Sequence, residues 1–209
     1  MRFVAARKSI YREGEPPKEF ATLCDGWAFR YKILSDGRRQ ILSFILAGDA
    51  VSMRSLWADR LGLSIQALTS VSLCVFDKQE VVELIESRPP LVWRMGELLA
   101  QELGVMERRL VHVGRHSAQA SVAWLVIDIY GRLKERGLAN GLSFEFPLRQ
   151  QHIADALGLT AAHVNRVVQE LRAAQLISRQ GSLLTISNYE RLRDVAEGND
   201  ASLASINVA

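Results

Sequence analysis

Several absences narrow the possible functions of this 209-residue chain before any motif is read. It has no histidine before His112, and the other three, His116, His152 and His163, follow that position. A metal enzyme built on a β-barrel uses imidazole and carboxylate ligands pointing inward, and a catalytic triad needs a histidine beside its nucleophile. Neither arrangement is available to the first 111 residues, so the sequence predicts a protein that is not an enzyme. Cysteine is scarcer still. Cys24 and Cys74 stand fifty residues apart, with no CxxC spacing and no neighbouring histidine, which argues against a zinc site. In a reducing compartment they are expected to be free thiols, Cys74 being buried in a strand. No apolar run approaches the roughly 18 residues of a membrane span, and the opening MRFVAARKSIYREG has no signal-peptide core. A cytoplasmic protein with no membrane partner is expected. Charge of one sign is also lacking in excess: Lys and Arg total 26 against 23 Asp and Glu. Any affinity for nucleic acid must therefore come from local arrangement and from the pairing of two subunits.

The stretch 148–186, LRQQHIADALGLTAAHVNRVVQELRAAQLISRQGSLLTI, holds such an arrangement. Ile153, Ala154 and Leu157 recur at helical spacing, Gly158 breaks the run, and Val164, Val167, Val168 and Leu171 resume it on a second helix. Small Ala154 permits a close crossing, Gly158 can take positive φ, and Thr160 stands where an N-cap is wanted. This spacing predicts a helix-turn-helix, although a plain helical hairpin would use the same residues. The opposite face favours the first reading. Ala162, Asn165, Arg166 and Gln169 lie together there, with no acid before Glu170. Arg can read guanine, Asn and Gln can read adenine, and alanine lets the backbone approach the groove. Beyond the second helix, residues 176–179 and 183–186 flank Gln180-Gly181, which reads as a two-stranded wing able to lie on a phosphate backbone through Arg179.

Toward the N-terminus, Gly14, Gly26, Gly37 and Gly48 fall 12, 11 and 11 residues apart, each beside an acid, as in an all-β barrel or roll. After Gly26, Trp27, Phe29, Tyr31 and Ile33 alternate with Ala28, Arg30, Lys32 and Leu34, so an aromatic core face and a mostly basic outer face are expected. Further strands are expected over 41–46 and 65–76. From residue 91 to 113 the pattern turns helical. Val92, Met95, Leu99, Met106, Leu110 and Val113 form one stripe, and Leu91, Leu98 and Val105 a second at a seven-residue interval. One stripe can pack on the roll and the other on a second copy of the helix; a single long buried helix is the alternative. Gly114 permits a bend before another amphipathic helix over 118–136, and past Arg193 the sequence is small and polar and is expected to fray.

A glycine-punctuated roll, a long helix, a bend and a winged helix-turn-helix in this order resemble the Crp/Fnr family of bacterial transcription regulators. The resemblance is carried by REGE at 12–15, DGRRQIL at 36–42, AGD at 47–49 and, most specifically, GLTAAHVNRVVQEL at 158–171, and it covers about residues 3–193. It implies an α+β fold: an antiparallel, jelly-roll-like β-roll sensing an effector over 1–90, a dimerisation helix and hinge over 91–114, a winged helix-turn-helix domain over 115–193 and a flexible tail over 194–209. It also implies a homodimer on double-stranded DNA with an inverted-repeat operator, and RNA polymerase as a partner. The DNA-contacting set is Thr160, Ala161, Ala162, His163, Asn165, Arg166 and Gln169, with Arg179 on the wing; Asn165 and Arg166 fall on family base-reading positions. Many members carry a glutamate where this chain has Ala162, so their familiar operator sequence is not carried over. Cyclic-AMP-binding members cradle the phosphate with a Gly-Glu and an Arg-Ser pair. Here the corresponding stretch is GDAVSMRSLWADRLGLSIQ, with Ser52-Met53 in the first place and Leu61-Gly62 or Leu63-Ser64 near the second, so the cassette is not recognisable and cyclic nucleotides are not expected to bind. Ser52, Met53, Arg54, Arg60 and Ser64 are the candidate effector pocket, with an apolar or redox effector and no cofactor specified. Cys74 falls where oxygen-sensing members place one cluster cysteine, yet an iron–sulfur cluster needs about four thiolates. The chain starts almost at the roll, without the leading helix usual in the family, as a shortened start would. A ligand-sensing interaction module that has lost DNA binding is the competing function, and the Asn165, Arg166, Gln169 face separates the two.

Overall fold

A computed structural model describes residues 1–199. Contacts divide the chain into two compact units, Met1–Glu107 and Arg108–Ala209.

The first unit holds β1 (Arg2–Val4), β2 (Ser9–Tyr11), β3 (Glu19–Asp25), β4 (Trp27–Ile33), β5 (Arg39–Leu46), a short 3-10 turn (Met53–Leu56), β6 (Ser64–Ala67), β7 (Val71–Asp77), α1 (Lys78–Ser87) and the beginning of α2 (Pro89–Arg115). Two antiparallel sheets, ordered β1-β7-β3 and β2-β6-β4-β5, make the expected roll. Leu23, Ala28, Ile45, Ile65, Val71 and Leu73, drawn from both sheets, join in one buried cluster. Gly26 makes the tight turn between β3 and β4 at φ +85°, and a Cβ there would collide with the Ser70 carbonyl oxygen. Only glycine fits that position.

Three expectations are corrected in this unit. The single strand over 65–76 is two, β6 and β7, separated by residues 68–70. The aromatic face of β4 is core as expected at Trp27 and Phe29, but the basic face is not turned to solvent throughout, because Ala28 and Arg30 are buried as well. Ala28 pairs with Ile45 and Ala67, so Arg30, two residues on, shares the inward face. Cys24 and Cys74 are not free thiols but are joined in a disulfide, Cα atoms 6.3 Å apart, with Cys24 exposed and Cys74 half-buried. The cause is register. Strands β3 and β7 pair directly, Thr22 opposite Cys74 and Leu23 opposite Leu73, and the irregularity between Leu23 and Asp25 brings Cys24 alongside its partner.

The second unit holds the end of α2, then α3 (Ala118–Glu135), β8 (Ala139–Asn140), β9 (Ser143–Glu145), α4 (Gln150–Leu157), α5 (Ala161–Ala173), β10 (Ile177–Gln180), β11 (Leu183–Ile186) and α6 (Tyr189–Glu197). Helix α3 starts at Ser117, whose hydroxyl accepts from the Ala120 amide, and is buried on most sides, from Ala120 through Val126 to Leu133. The wing is one edge of a four-stranded sheet ordered β10-β11-β9-β8 rather than an isolated hairpin. The fraying expected from residue 194 is corrected as far as Glu197. Helix α6 is capped by the Asn188 side chain and buries Leu192, Val195 and Ala196. The rest of the expected tail, 200–209, lies outside the described residues.

The division at 107 falls within α2, which serves both units. Glu102 pairs with Arg30 in the first. In the second, Arg109 and His112 are buried, with His112 stacked between His116 and Trp124 at ring distances of 4.3 and 4.7 Å. Burial, aided by the His116 charge, lowers the His112 pKa from 6.5 to about 4, and its Nδ1 has no hydrogen-bond partner among the described residues. The unfolded chain therefore takes up a proton near pH 6.5 that the folded chain refuses until about pH 4. This contribution to stability is complete above pH 6.5 and is lost as pH falls toward 4, at a cost of about 1–2 kcal/mol. Urea unfolding of the parent chain and of His112→Phe at pH 7.5 and pH 4.5 checks it: the variant should lose less stability on acidification.

Candidate nucleic-acid interface

Helix α4 ends at Gly158, in the left-handed conformation at φ +69° and ψ +27°, and the Gly158 and Leu159 amides both return to the Ala154 carbonyl. Thr160 caps α5, its hydroxyl accepting from the His163 amide at 3.2 Å. These two residues set the angle between the helices, and burial fixes it. Ile153, Ala154 and Leu157 on α4 are buried with Val164, Val167 and Leu171 on α5, all at 3% exposure or less. Val168, expected inward with them, is only half-buried.

With one face of α5 committed to the core, the other is fixed in space. Ala162, Asn165, Arg166 and Gln169 are all exposed on it; Thr160 is exposed at its start, and Ala161 and His163 are half-buried beside it. Asn165 Oδ1 accepts from Gln150 Nε2 at 2.7 Å, which orients the amide and leaves its own NH2 group outward. Glu170, the acid that ends the face, is only 13% exposed in its side chain and is held by Gln119 Nε2 at 2.6 Å. Its other oxygen is 3.9 Å from Arg166 Nε, a long pairing, and the Arg166 side chain is 61% exposed. The surface offered to a groove is thus two small residues, two amides and a cation.

Arg179 departs from expectation. Its Nε donates to the Gly181 carbonyl at 2.9 Å, and its two Nη atoms to Leu148 and Phe146 carbonyls at 3.1 Å each. The side chain clasps the wing to the segment before α4, so most of its donors are spent inside the unit. Arg179→Ala should lower the stability of this unit by about 1–2 kcal/mol, and lysine, lacking the fork, should not restore it. The slope of DNA affinity against salt should stay unchanged; a slope flattened by about 0.9 per subunit would mark a lost phosphate contact instead. The sequence reading missed this role because the three carbonyls lie 2 to 33 residues away along the chain.

In the roll, Ser52, Met53, Arg54 and Arg60 line one cavity of about 190 Å³, together with Arg30 and, from α2, Leu99, Glu102, Leu103 and Met106. Ser64 does not join them; its hydroxyl accepts from the Glu13 amide at 3.1 Å. Arg30 was not foreseen in this site. It is 8% exposed, donates to the Ala50 and Val51 carbonyls and the Ser43 hydroxyl, and ion-pairs with Glu102.

Among the described residues no helix is long and apolar enough to cross a membrane. Comparison with known proteins matches residues 122–195 to the Crp-like helix-turn-helix domain family and residues 1–88 to the cyclic nucleotide-binding domain family. The chain is 33% identical over 172 residues to the transcriptional activatory protein AadR of Rhodopseudomonas palustris, covering 82% of this chain and 70% of that protein. It is 33% identical over 189 residues to the nitrogen fixation regulation protein FixK of Bradyrhizobium diazoefficiens, covering 90% and 76%. Among solved structures, FixK2 from Bradyrhizobium japonicum superposes with a TM-score of 0.84 at 26% identity, over 93% of this chain and 95% of that one. These relatives are named as regulators, not enzymes.

Proposed function

The chain belongs to the Crp/Fnr family of transcription regulators and is a sequence-specific DNA-binding regulator, and from that premise we propose how it works. In this reading it is a cytoplasmic homodimer paired through α2. Two copies of α5 then enter successive major grooves about 34 Å apart, on an operator that is an inverted repeat with half-sites one helical turn apart. Asn165, Arg166 and Gln169 read bases, Ala162 and Ala161 let the backbone approach, and Thr160 and His163 lie at the helix start near the phosphates. The supporting observation is the division of α5 into a buried Val164, Val167, Leu171 side and an exposed side carrying Ala162, Asn165, Arg166 and Gln169.

An effector in the roll would change α2, because the cavity holding Ser52, Met53, Arg54 and Arg60 is walled by Leu99, Leu103 and Met106 of that helix. RNA polymerase is the partner at the promoter, and activation is the direction suggested by the names of the relatives. Selection of genomic fragments by the full chain, followed by sequencing, tests the reading. Enrichment of an inverted repeat supports it. Enrichment of no common sequence, with Asn165→Ala, Arg166→Ala and Gln169→Ala all indistinguishable from the parent, would favour a protein-interaction module instead.

A redox effector has one specific observation behind it, the Cys24–Cys74 pairing across β3 and β7. If regulation in cells is intact in the Cys24→Ser, Cys74→Ser double variant, that branch falls.

A further inference from the structure

We propose that the roll cavity binds a small monocarboxylic acid with an apolar body of about six to eight carbons, its carboxylate on Arg54. The proposal rests on the roll being the sensing half and specifies what is sensed.

Size, wall and charge each restrict the ligand. The cavity is about 190 Å³. An apolar cavity of about 150 Å³ takes up benzene, so this one has room for one ring or a six-carbon chain and an acid group. Its wall is mainly apolar, formed by Met53, Leu61 and Leu63 from the roll and Leu99, Leu103 and Met106 from α2. A nucleotide brought here would bury ribose hydroxyls and base edges against side chains that cannot hydrogen-bond them, which disfavours it. The charged groups then set the sign of the ligand. Arg30, Arg54 and Arg60 border the cavity against one acid, Glu102. Arg30 already gives four of its five donors to that acid, two carbonyls and a hydroxyl. Arg60 donates to the Gly14 carbonyl at 2.9 Å. Arg54 is exposed, has no hydrogen-bond or ion-pair partner among the described residues, and lies against Gly62 at the cavity edge. A carboxylate there meets an uncommitted fork with a second cation bordering the same cavity, while the apolar body stays in the interior. A neutral ligand would leave that charge unused, and a simple anion such as acetate would leave the apolar wall wet.

Titration calorimetry on the full chain with hexanoate, 1-hexanol, acetate and cyclic AMP tests this, run beside the affinity for the selected operator. Hexanoate should bind at least tenfold more tightly than hexanol or acetate, and cyclic AMP should give no heat. Arg54→Gln should weaken hexanoate tenfold or more and leave hexanol unchanged; Arg54→Lys should recover part of the loss. Hexanol binding as tightly as hexanoate, cyclic AMP binding at micromolar concentration, no heat from any probe, or an unaltered Arg54→Gln would each overturn the proposal. A cavity-filling Leu63→Trp separates this from failure of the sensing reading. If hexanol or cyclic AMP shifts operator affinity and Leu63→Trp removes the shift, the roll senses a ligand but of another class. If Leu63→Trp regulates in cells as the parent does, the sensing reading itself fails.

Discussion

Replacing Leu103 and Leu110 together by glutamate should convert the protein to a monomer and lower operator affinity by a hundredfold or more. In the single chain these leucines are 57% and 74% exposed, so the exchange costs the isolated subunit little. The burden falls on the paired state. Val92, Leu99, Leu103, Met106, Leu110 and Val113 are all exposed on α2 and are separated by steps of three and four residues or their sum, the repeat of a helix seam. Four glutamates brought into one such seam would be desolvated without partners. Once the dimer parts, each half-site is held by one subunit, and the avidity of joint binding, about 10²–10⁴, disappears. Sedimentation at micromolar concentration and fluorescence anisotropy on the operator read both effects. Leu110→Glu alone, which lies outside the roll cavity, should act in the same direction. A double variant that stays dimeric, or a monomer that binds with full affinity, would show that the seam is elsewhere.

The second large effect is expected from Arg166→Ala. One bidentate contact to guanine is worth about 1–3 kcal/mol, and a dimer makes it twice, so the loss should reach about 2–6 kcal/mol when the half-sites act independently. Preference should relax at one base pair per half-site, and Asn165→Ala should relax a neighbouring pair. The bland alternative is an ordinary helix ion pair with Glu170, worth about 0.3–0.5 kcal/mol. Its geometry is poor. The oxygen lies 3.9 Å from Arg166 Nε, while the same carboxylate is drawn toward Gln119 at 2.6 Å. Affinities across single-base operator variants decide the matter. An unchanged preference profile in Arg166→Ala would mean that another side of α5 does the reading.

The parts of this molecule that depend on neighbours in sequence could be read from sequence. Ala154, Gly158, Thr160 and Val164 define the helix-turn-helix by period and turn chemistry alone, and each occupies the expected place. The exposed face of α5 follows from the same period. What depends on distant pairing was not legible. The inward turn of Arg30 is decided by β4 lying between β5 and β6, and the joining of Cys24 to Cys74 by an irregularity in β3. Strands β8 and β9, of two and three residues, are too short to show any alternation. Helix α1 is a different kind of omission. Asp77 caps it, accepting from the Gln79 and Glu80 amides, and an acid followed three residues later by Glu80 is a start signal that was available. Helix α6 likewise announces itself through Asn188 before it and Gly198 after it.

Gly96 stands on α2 between Val92 and Leu99, at a step of four and then three residues, where the seam would place another apolar side chain, and nothing lies within 4 Å of where its Cβ would be. In a coil of two such helices that layer is a gap, so tight interlocking begins only at Leu99 and continues to Val113, a length of about 21 Å at 1.5 Å per residue. In that coil the mechanical consequence would be a zipper with a loose upper end. In such a pair the turns around Gly96 would splay or twist at little energetic expense, whereas those from Leu99 to Val113 would be stiff in torsion.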